Sequence, residues 1–192
     1  MSDQLDQNTG FHIDLERTLV RDGPKFLSHT LVIKDSEAYI MPTISSLLFC
    51  VVYIVVGSFL ILLASYVYLN TKQLDLSIFL GGFGVAITTF GFTLIQPFLK
   101  RASFDKNVGT FSNSSDRDVK LERILSLQIN NKIVIRKQGL NYYCYELNML
   151  TKNGRRINIL NHNNISQLLI DAQHLSEFLE VELEDYRREI LL

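Results

Sequence analysis

Charge is missing from two long stretches of this 192-residue chain: no Asp, Glu, Lys or Arg lies between Ala38 and Thr71, nor between Leu76 and Leu99. Cysteine is scarce as well. Cys50 and Cys144 are too few for a disulfide framework or a four-thiolate metal site. Net charge is almost absent, with 19 Lys and Arg against 20 Asp and Glu, which removes the case for nucleic acid as a main partner. The four histidines, His12, His29, His162 and His174, show no metal-ligand spacing on a helix, and no Cys-x-x-Cys occurs, so no metal is expected. No phosphate-binding loop is present either. Gly81-Gly82-Phe83-Gly84 lies inside an apolar run that a nucleotide does not reach, and no cofactor is expected.

What is present explains the uneven charge. Ile44 to Tyr68 is continuously apolar and, as a helix, spans roughly 37 Å, enough for a hydrocarbon core of about 30 Å with some tilt. The second run, from Leu76, is similar. Neither reads as a cleaved signal peptide, because the first begins after about 40 mostly polar residues and has no small-residue cleavage site behind a short apolar core. Pro42 is expected in the first turn of the first span, and Pro97 in the last turn of the second. Asn70 to Asp75 separates the spans, so residues 42–99 read as a transmembrane helical hairpin with both flanks on one side. Lys72 is the only cation of that turn, whereas Lys25 and Lys34 precede the hairpin and Lys100, Arg101 and Lys106 follow it. The positive-inside rule places both termini in the cytoplasm. Neither span holds an Asp, Glu, Lys, Arg or His, which argues against a transporter acting alone. Small residues gather in the second span at Gly82, Gly84, Ala86, Thr88 and Gly91; pairs four apart share a helical face, suited to packing on the first span or on a second copy.

Beyond Arg101 the pattern changes to short alternating runs. Phe104-Asp105 and Gly109-Thr110-Phe111 suggest a hairpin, and Ser112 to Asp118 a polar loop. Ile124 to Ile129 alternates as a strand, and a second strand is expected over Lys132 to Lys137. Tyr142 to Leu160 reads as two strands about Lys152-Asn153-Gly154, the strongest local hairpin signal in the chain. An amphipathic helix follows. Asn163 or Asn164 caps it, and Ile165, Leu168, Leu169, Ala172, Leu175, Phe178 and Leu179 form its apolar face. Upstream, residues 1–28 read as a polar, partly disordered segment. Residues 29–41 read as a strand pair about Asp35-Ser36-Glu37 that can join the same sheet.

Strands closed by one amphipathic helix make an α+β arrangement, in residues 100–185, with 186–192 as a tail. Phe104-Asp105 with Gly109, Ile124 with Leu127-Gln128, Tyr145-Glu146-Leu147-Asn148, Gly154-Arg155, His162, Asp171-Ala172, Leu175 and Phe178-Leu179 together resemble an uncharacterised group of bacterial inner-membrane proteins. In these a two-span hairpin carries a cytoplasmic pleckstrin-homology-like domain. The resemblance covers about 80 residues and implies a fold, an antiparallel sheet closed by a C-terminal helix, and an inner-membrane location, but no reaction.

Candidate contacts remain few. Lys100 and Arg101 are juxtamembrane and suit headgroup anchoring; Lys106, Arg155 and Arg156 are candidates for anionic headgroups or an acidic partner segment. His174 follows Asp171 by three residues and can pair with it on the helix surface. Cys144, alternating with aromatic residues, reads as a small packed hydrophobe. No nucleophile, base and orienter assemble from the sequence, so the expectation is non-catalytic: a membrane-anchored module that binds a protein or lipid headgroups. The alternative is an accessory subunit of a larger membrane complex. Expected partners are the bilayer, another membrane or cytoplasmic protein, and a second copy.

Overall fold

The computed structural model describes residues 14–99, 102–113, 118–136 and 139–188. The chain divides into two units: Pro42–Arg101, and Met1–Met41 together with Ala102–Leu192.

The first unit is a helix pair, α1 (Ile44–Thr71) and α2 (Leu74–Ile95), followed by a single 3-10 turn over Gln96–Leu99 that contains Pro97. Thr43 caps α1, its side chain accepting from Ser46 N–H at 3.3 Å. Pro42, expected in the first turn, instead ends the preceding strand, where its fixed φ suits extended chain as well. Only Lys72 and Gln73 separate the helices, fewer than the loop expected over Asn70 to Asp75, because both helices wind on through its polar ends. Lys72 makes the reversal in the left-handed region (φ 57°) and donates to Tyr68 O at 3.2 Å.

The distribution of residues around these helices is inverted relative to a water-soluble core. α1 buries Ser46, Cys50, Gly57 and Ala64, and α2 buries Gly84 and Gly91, while Phe49, Phe59, Leu62, Ile78, Phe79 and Phe83 are exposed. Both helices are long and apolar enough to cross a membrane. Their contact depends on glycine. A Cβ on Gly57 would stand 2.6 Å from Thr88 N and 2.7 Å from Gly84 O, and one on Gly84 would stand 2.8 Å from Gly57 O. Thr88 turns its hydroxyl onto Gly84 O at 2.8 Å, satisfying itself within α2. Of the small residues expected to pack, Gly84, Thr88 and Gly91 meet α1. Gly82 and Ala86 are exposed, and a Cβ on Gly82 would meet nothing within 4 Å.

The second unit holds two sheets and one long helix. The first sheet is a five-stranded meander in sequence order: β1 (His29–Lys34), β2 (Glu37–Pro42), β3 (Ala102–Asp105), β4 (Thr110–Ser112) and β5 (Val119–Lys120). The strand pair 29–41 therefore does join the sheet that follows the spans, with Ile40 opposite Ala102. The helix pair is thus inserted between two hydrogen-bonded neighbours. The second sheet comprises β6 (Ile124–Val134), β7 (Tyr142–Thr151), β8 (Arg156–His162) and β9 (Glu182–Asp185), ordered β8-β7-β6-β9. Where two strands were expected over Ile124–Lys137 there is one, because β7 pairs with it from Ile124 to Val134, with one bulge between Ile124 and Ser126, and carries it unbroken past Asn130-Asn131. Ile135, expected in a strand, lies beyond its end and is exposed. The hairpin about residues 152–154 forms as read, with Gly154 supplying the positive φ (79°).

Helix α3 (Ile165–Leu179) is capped by Asn164, which accepts from Gln167 N–H at 3.0 Å. It crosses from one edge strand, β8, to the other, β9. Because β9 runs parallel to β6, the sheet is not wholly antiparallel; a helical crossover makes such a parallel return possible. Leu168, Ala172 and Leu175 of α3 meet Leu127, Ile129, Leu147, Met149 and Leu160, and the core continues into Ala38, Phe104 and Phe111 of the first sheet. Phe104 and Phe111 stack with ring centroids 4.6 Å apart.

Gly57→Leu is expected to destabilise the helix pair by about 2 kcal/mol, because the side chain must force the backbones apart. Gly82→Leu should leave it unchanged. Thermal melts followed by circular dichroism in detergent compare the two.

Candidate functional site

One face of the second sheet builds the core; the other is polar and still buried. On β6 the alternation places Gln128, Asn130 and Lys132 together, and pairing sets them opposite Asn148, Glu146 and Cys144 of β7. Gln128, Asn130, Glu146 and Asn148 are fully inaccessible, and Lys132 is 9% exposed. β8 extends the face with Arg156 and Asn158, which stand opposite Leu150 and Asn148.

Burying so many polar groups is costly unless each is matched, and here they form one network. Asn158 donates to Asn148 Oδ1 at 2.9 Å, and Asn148 donates to Asn130 Oδ1 at 3.0 Å and to Glu146 Oε2 at 3.3 Å. Arg156 donates through Nε to Gln128 Oε1 and through a terminal nitrogen to Asn130 Oδ1, both at 3.1 Å. Lys132 Nζ meets Glu146 Oε1 at 2.5 Å.

Residues 14–23 cover this face as a strap without regular secondary structure. The strap is held by its main chain. Leu19 N–H and Val20 N–H donate to the two Glu146 oxygens at 2.8 and 3.0 Å. Lys132 donates to Val20 O and, at 3.0 Å, to Asp22 O; Asn130 donates to Leu15 O at 2.9 Å. Arg156 donates to Asp14 O and Arg17 O, both at 2.8 Å, and the Tyr142 hydroxyl to Gly23 O at 2.5 Å. Most of the strap's own side chains, Asp14, Glu16, Arg17, Leu19, Arg21 and Asp22, are exposed; Glu16 pairs with Arg188 at the surface, and Leu15, Thr18 and Val20 are half-buried. Gly23 is the exception to this tolerance. A Cβ there would run into Cys144 Sγ and stand 2.9 Å from Asn161 Oδ1. Cys144 itself donates to Asn161 Oδ1, and burial pushes its thiol up to about 11, against the pull of Lys132, so it remains an unreactive neutral group.

The cations singled out from sequence are placed apart. Arg156 is drawn inward and fully engaged. Lys106 lies over the Phe178 ring, 4.8 Å from its centroid, and reaches Glu180 at 3.5 Å. Arg155 is half-buried at the hairpin turn, where its N–H bonds Thr151 Oγ1 at 3.0 Å. Lys100 and Arg101 lie outside the described residues. Asp171 does not rely on His174, which is exposed: its carboxylate accepts from Leu31 N–H at 3.2 Å and from Gln167 at 2.8 Å, joining α3 to β1. Sequence reading missed Gln128, Asn130, Lys132, Glu146 and Asn148 as a group. The signal was an alternation of polar residues on two long paired strands, which is the same whether the face meets water or protein.

His162 is buried beside this region. Its Nδ1 accepts from Asn164 N–H at 3.2 Å, so the proton sits on Nε2, which has no hydrogen-bond partner among the described residues. Burial, reinforced by His29, lowers the imidazole from 6.5 to about 4. Among the described residues no group of three or more His, Cys, Asp or Glu is gathered to hold a metal. No known protein family matches the chain, and no curated protein sequence does.

Two outcomes follow for stability. Glu146→Gln should cost on the order of 3 kcal/mol, because Lys132 is left as a buried cation without its counter-charge, and Lys132→Met with Glu146→Leu together should cost less than that single change. Guanidinium titration in detergent measures both. Secondly, the unfolded chain protonates His162 from pH 6.5 downward and the folded chain only near 4, so stability falls across that window by on the order of 3 kcal/mol. His162→Asn keeps an acceptor for Asn164 N–H and should flatten that slope between pH 7 and 4.5.

Proposed function

We propose that the chain is a two-span protein of a bacterial inner membrane, with both termini cytoplasmic, whose hairpin anchors a non-catalytic, pleckstrin-homology-like module that binds another protein. The membrane reading is supported by the inverted helix pair, with small residues inside and large apolar residues outside. Insertion of that pair between β2 and β3 supports the topology, since two hydrogen-bonded strands share one compartment and the spans between them must be even in number. Two packed sheets closed by α3 support the likeness to a pleckstrin-homology arrangement, from which the parallel strand β9 departs.

The observation that carries binding to protein, over lipid headgroups, is the polar sheet face that grips an irregular stretch of chain by its main-chain groups. Arg156 and Lys106, the cations that would serve a headgroup site, are engaged within the unit. The exposed small face of α2 at Gly82 and Ala86 favours a second reading, an accessory subunit packed against another membrane helix.

Topology is tested in a background lacking Cys50 and Cys144, with a maleimide that does not cross membranes. Val108→Cys, in the exposed β3–β4 turn, should label only after the membrane is opened, and Gln73→Cys from outside. Labelling of Val108→Cys in intact cells would refute the arrangement. A Gly82→Leu chain that melts normally yet leaves native membranes in a smaller complex would favour the subunit reading.

A further inference from the structure

The covered face is lined by groups that would be a poor choice if covering were their only task. Apolar side chains of similar volume generally pack as stably as a buried ion pair, or more so. A face lined with apolar residues, however, cannot be uncovered without exposing a sticky patch. One lined with Gln128, Asn130, Lys132, Glu146 and Asn148 can exchange its occupant for water and remain soluble. The occupant, moreover, is recognised through N–H and C=O groups that every polypeptide carries, while most of its side chains are exposed and Leu15, Thr18 and Val20 are half-buried.

We propose that this face is a binding site for a bent, non-helical polypeptide segment of a partner protein, and that residues 14–23 are a resident occupant that the partner displaces. The ligand class follows from the contacts. Two successive N–H groups meet the Glu146 carboxylate, flanking carbonyls meet Lys132, Asn130 and Arg156, and a glycine occupies the position of Gly23, where Cys144 and Asn161 leave no room for a Cβ. The strap is suited to release. Residues 24–28 link it to β1, with Lys25 and Phe26 exposed and Ser28 buried, and β1 is held separately by Asp171 of α3 and by β2. This inference rests on the binding-module reading and names its ligand.

The test uses the full-length chain in lipid nanodiscs with Cys50→Ala, so that Cys144 is the single thiol, and a fluorescent peptide of residues 14–24 as probe. With Gly23→Ala added, Cys144 should react with a water-soluble maleimide at least tenfold faster than in the parent. The peptide should then bind saturably, restore slow labelling, and lose at least tenfold in affinity when its own glycine is alanine. A companion chain keeps Gly23 and carries a protease site between Pro24 and Leu27; once cut, it should exchange its strap for the labelled peptide. If Gly23→Ala leaves Cys144 slow, the cut chain decides alone. An exposed Cys144 without peptide binding, a cut chain without exchange, or equal binding of the alanine peptide each overturns the proposal. A parent chain that is dimeric only while residues 14–23 are present would assign the face to a second copy instead. Failure here, with the topology intact and a partner crosslinking elsewhere on the module, would remove this ligand class and leave the binding module standing.

Discussion

The Glu146 carboxylate is the constraint around which the second unit is arranged. It is fully removed from water in the middle of a sheet, where an unmatched charge would cost several kcal/mol. Four donors answer it: Lys132 from the neighbouring strand, Asn148 from its own, and the N–H groups of Leu19 and Val20 from more than a hundred residues away. Each donor imposes a further condition. Lys132 needs its remaining protons accepted, which Val20 O and Asp22 O do; those carbonyls bring Gly23 under Cys144, and the close approach excludes a side chain there. The buried charge and its lysine partner therefore fix the path of residues 19–23, while Asn130 and Arg156 hold residues 14–17.

A second constraint is topological. The chain enters the helix pair after β2 and leaves it for β3, two neighbouring strands of the first sheet. Two helices joined by a two-residue turn pack closely along their length only if their facing residues are small. Gly57 against Gly84, with Thr88 and Gly91 completing the contact, is the sequence's answer to that requirement.

These two constraints were unequally visible in the sequence. The spans, the 152–154 hairpin and α3 are local: an apolar run, an Asn-Gly pair and a repeat of three and four residues each announce themselves within about 25 positions. Which glycines of α2 meet α1 was not local, since Gly82 and Gly84 differ only in helical phase relative to a partner whose phase was unknown. Asn130-Asn131 looked like a break in β6 because asparagine favours turns. Its continuation depends on β7, and Asn131 further bonds the chain at Arg188 across the parallel edge. The strap was illegible for the deepest reason. Its bonds to the polar face are made by main-chain groups, which leave no mark on residue identity except at Gly23; the Glu16–Arg188 pair lies at the surface.

That preponderance of main-chain recognition also bears on how the strap and the fold are coupled energetically. The apolar core on the opposite sheet face, from Leu127 and Leu147 to Leu168 and Leu175, includes no residue of 14–23. Loss of the strap would therefore remove hydrogen bonds and re-expose polar groups to water, which can replace most of those bonds, while the apolar burial that stabilises the sheet stays in place. The charged pair behaves the same way: hydrated, Lys132 and Glu146 remain adjacent on neighbouring strands and still attract each other. Local opening of the strap is thus a low-energy excursion relative to unfolding of the unit, as expected for a segment with few buried apolar contacts. Two materials in one sheet, an apolar face that holds the fold and a polar face that holds a removable chain, separate stability from recognition.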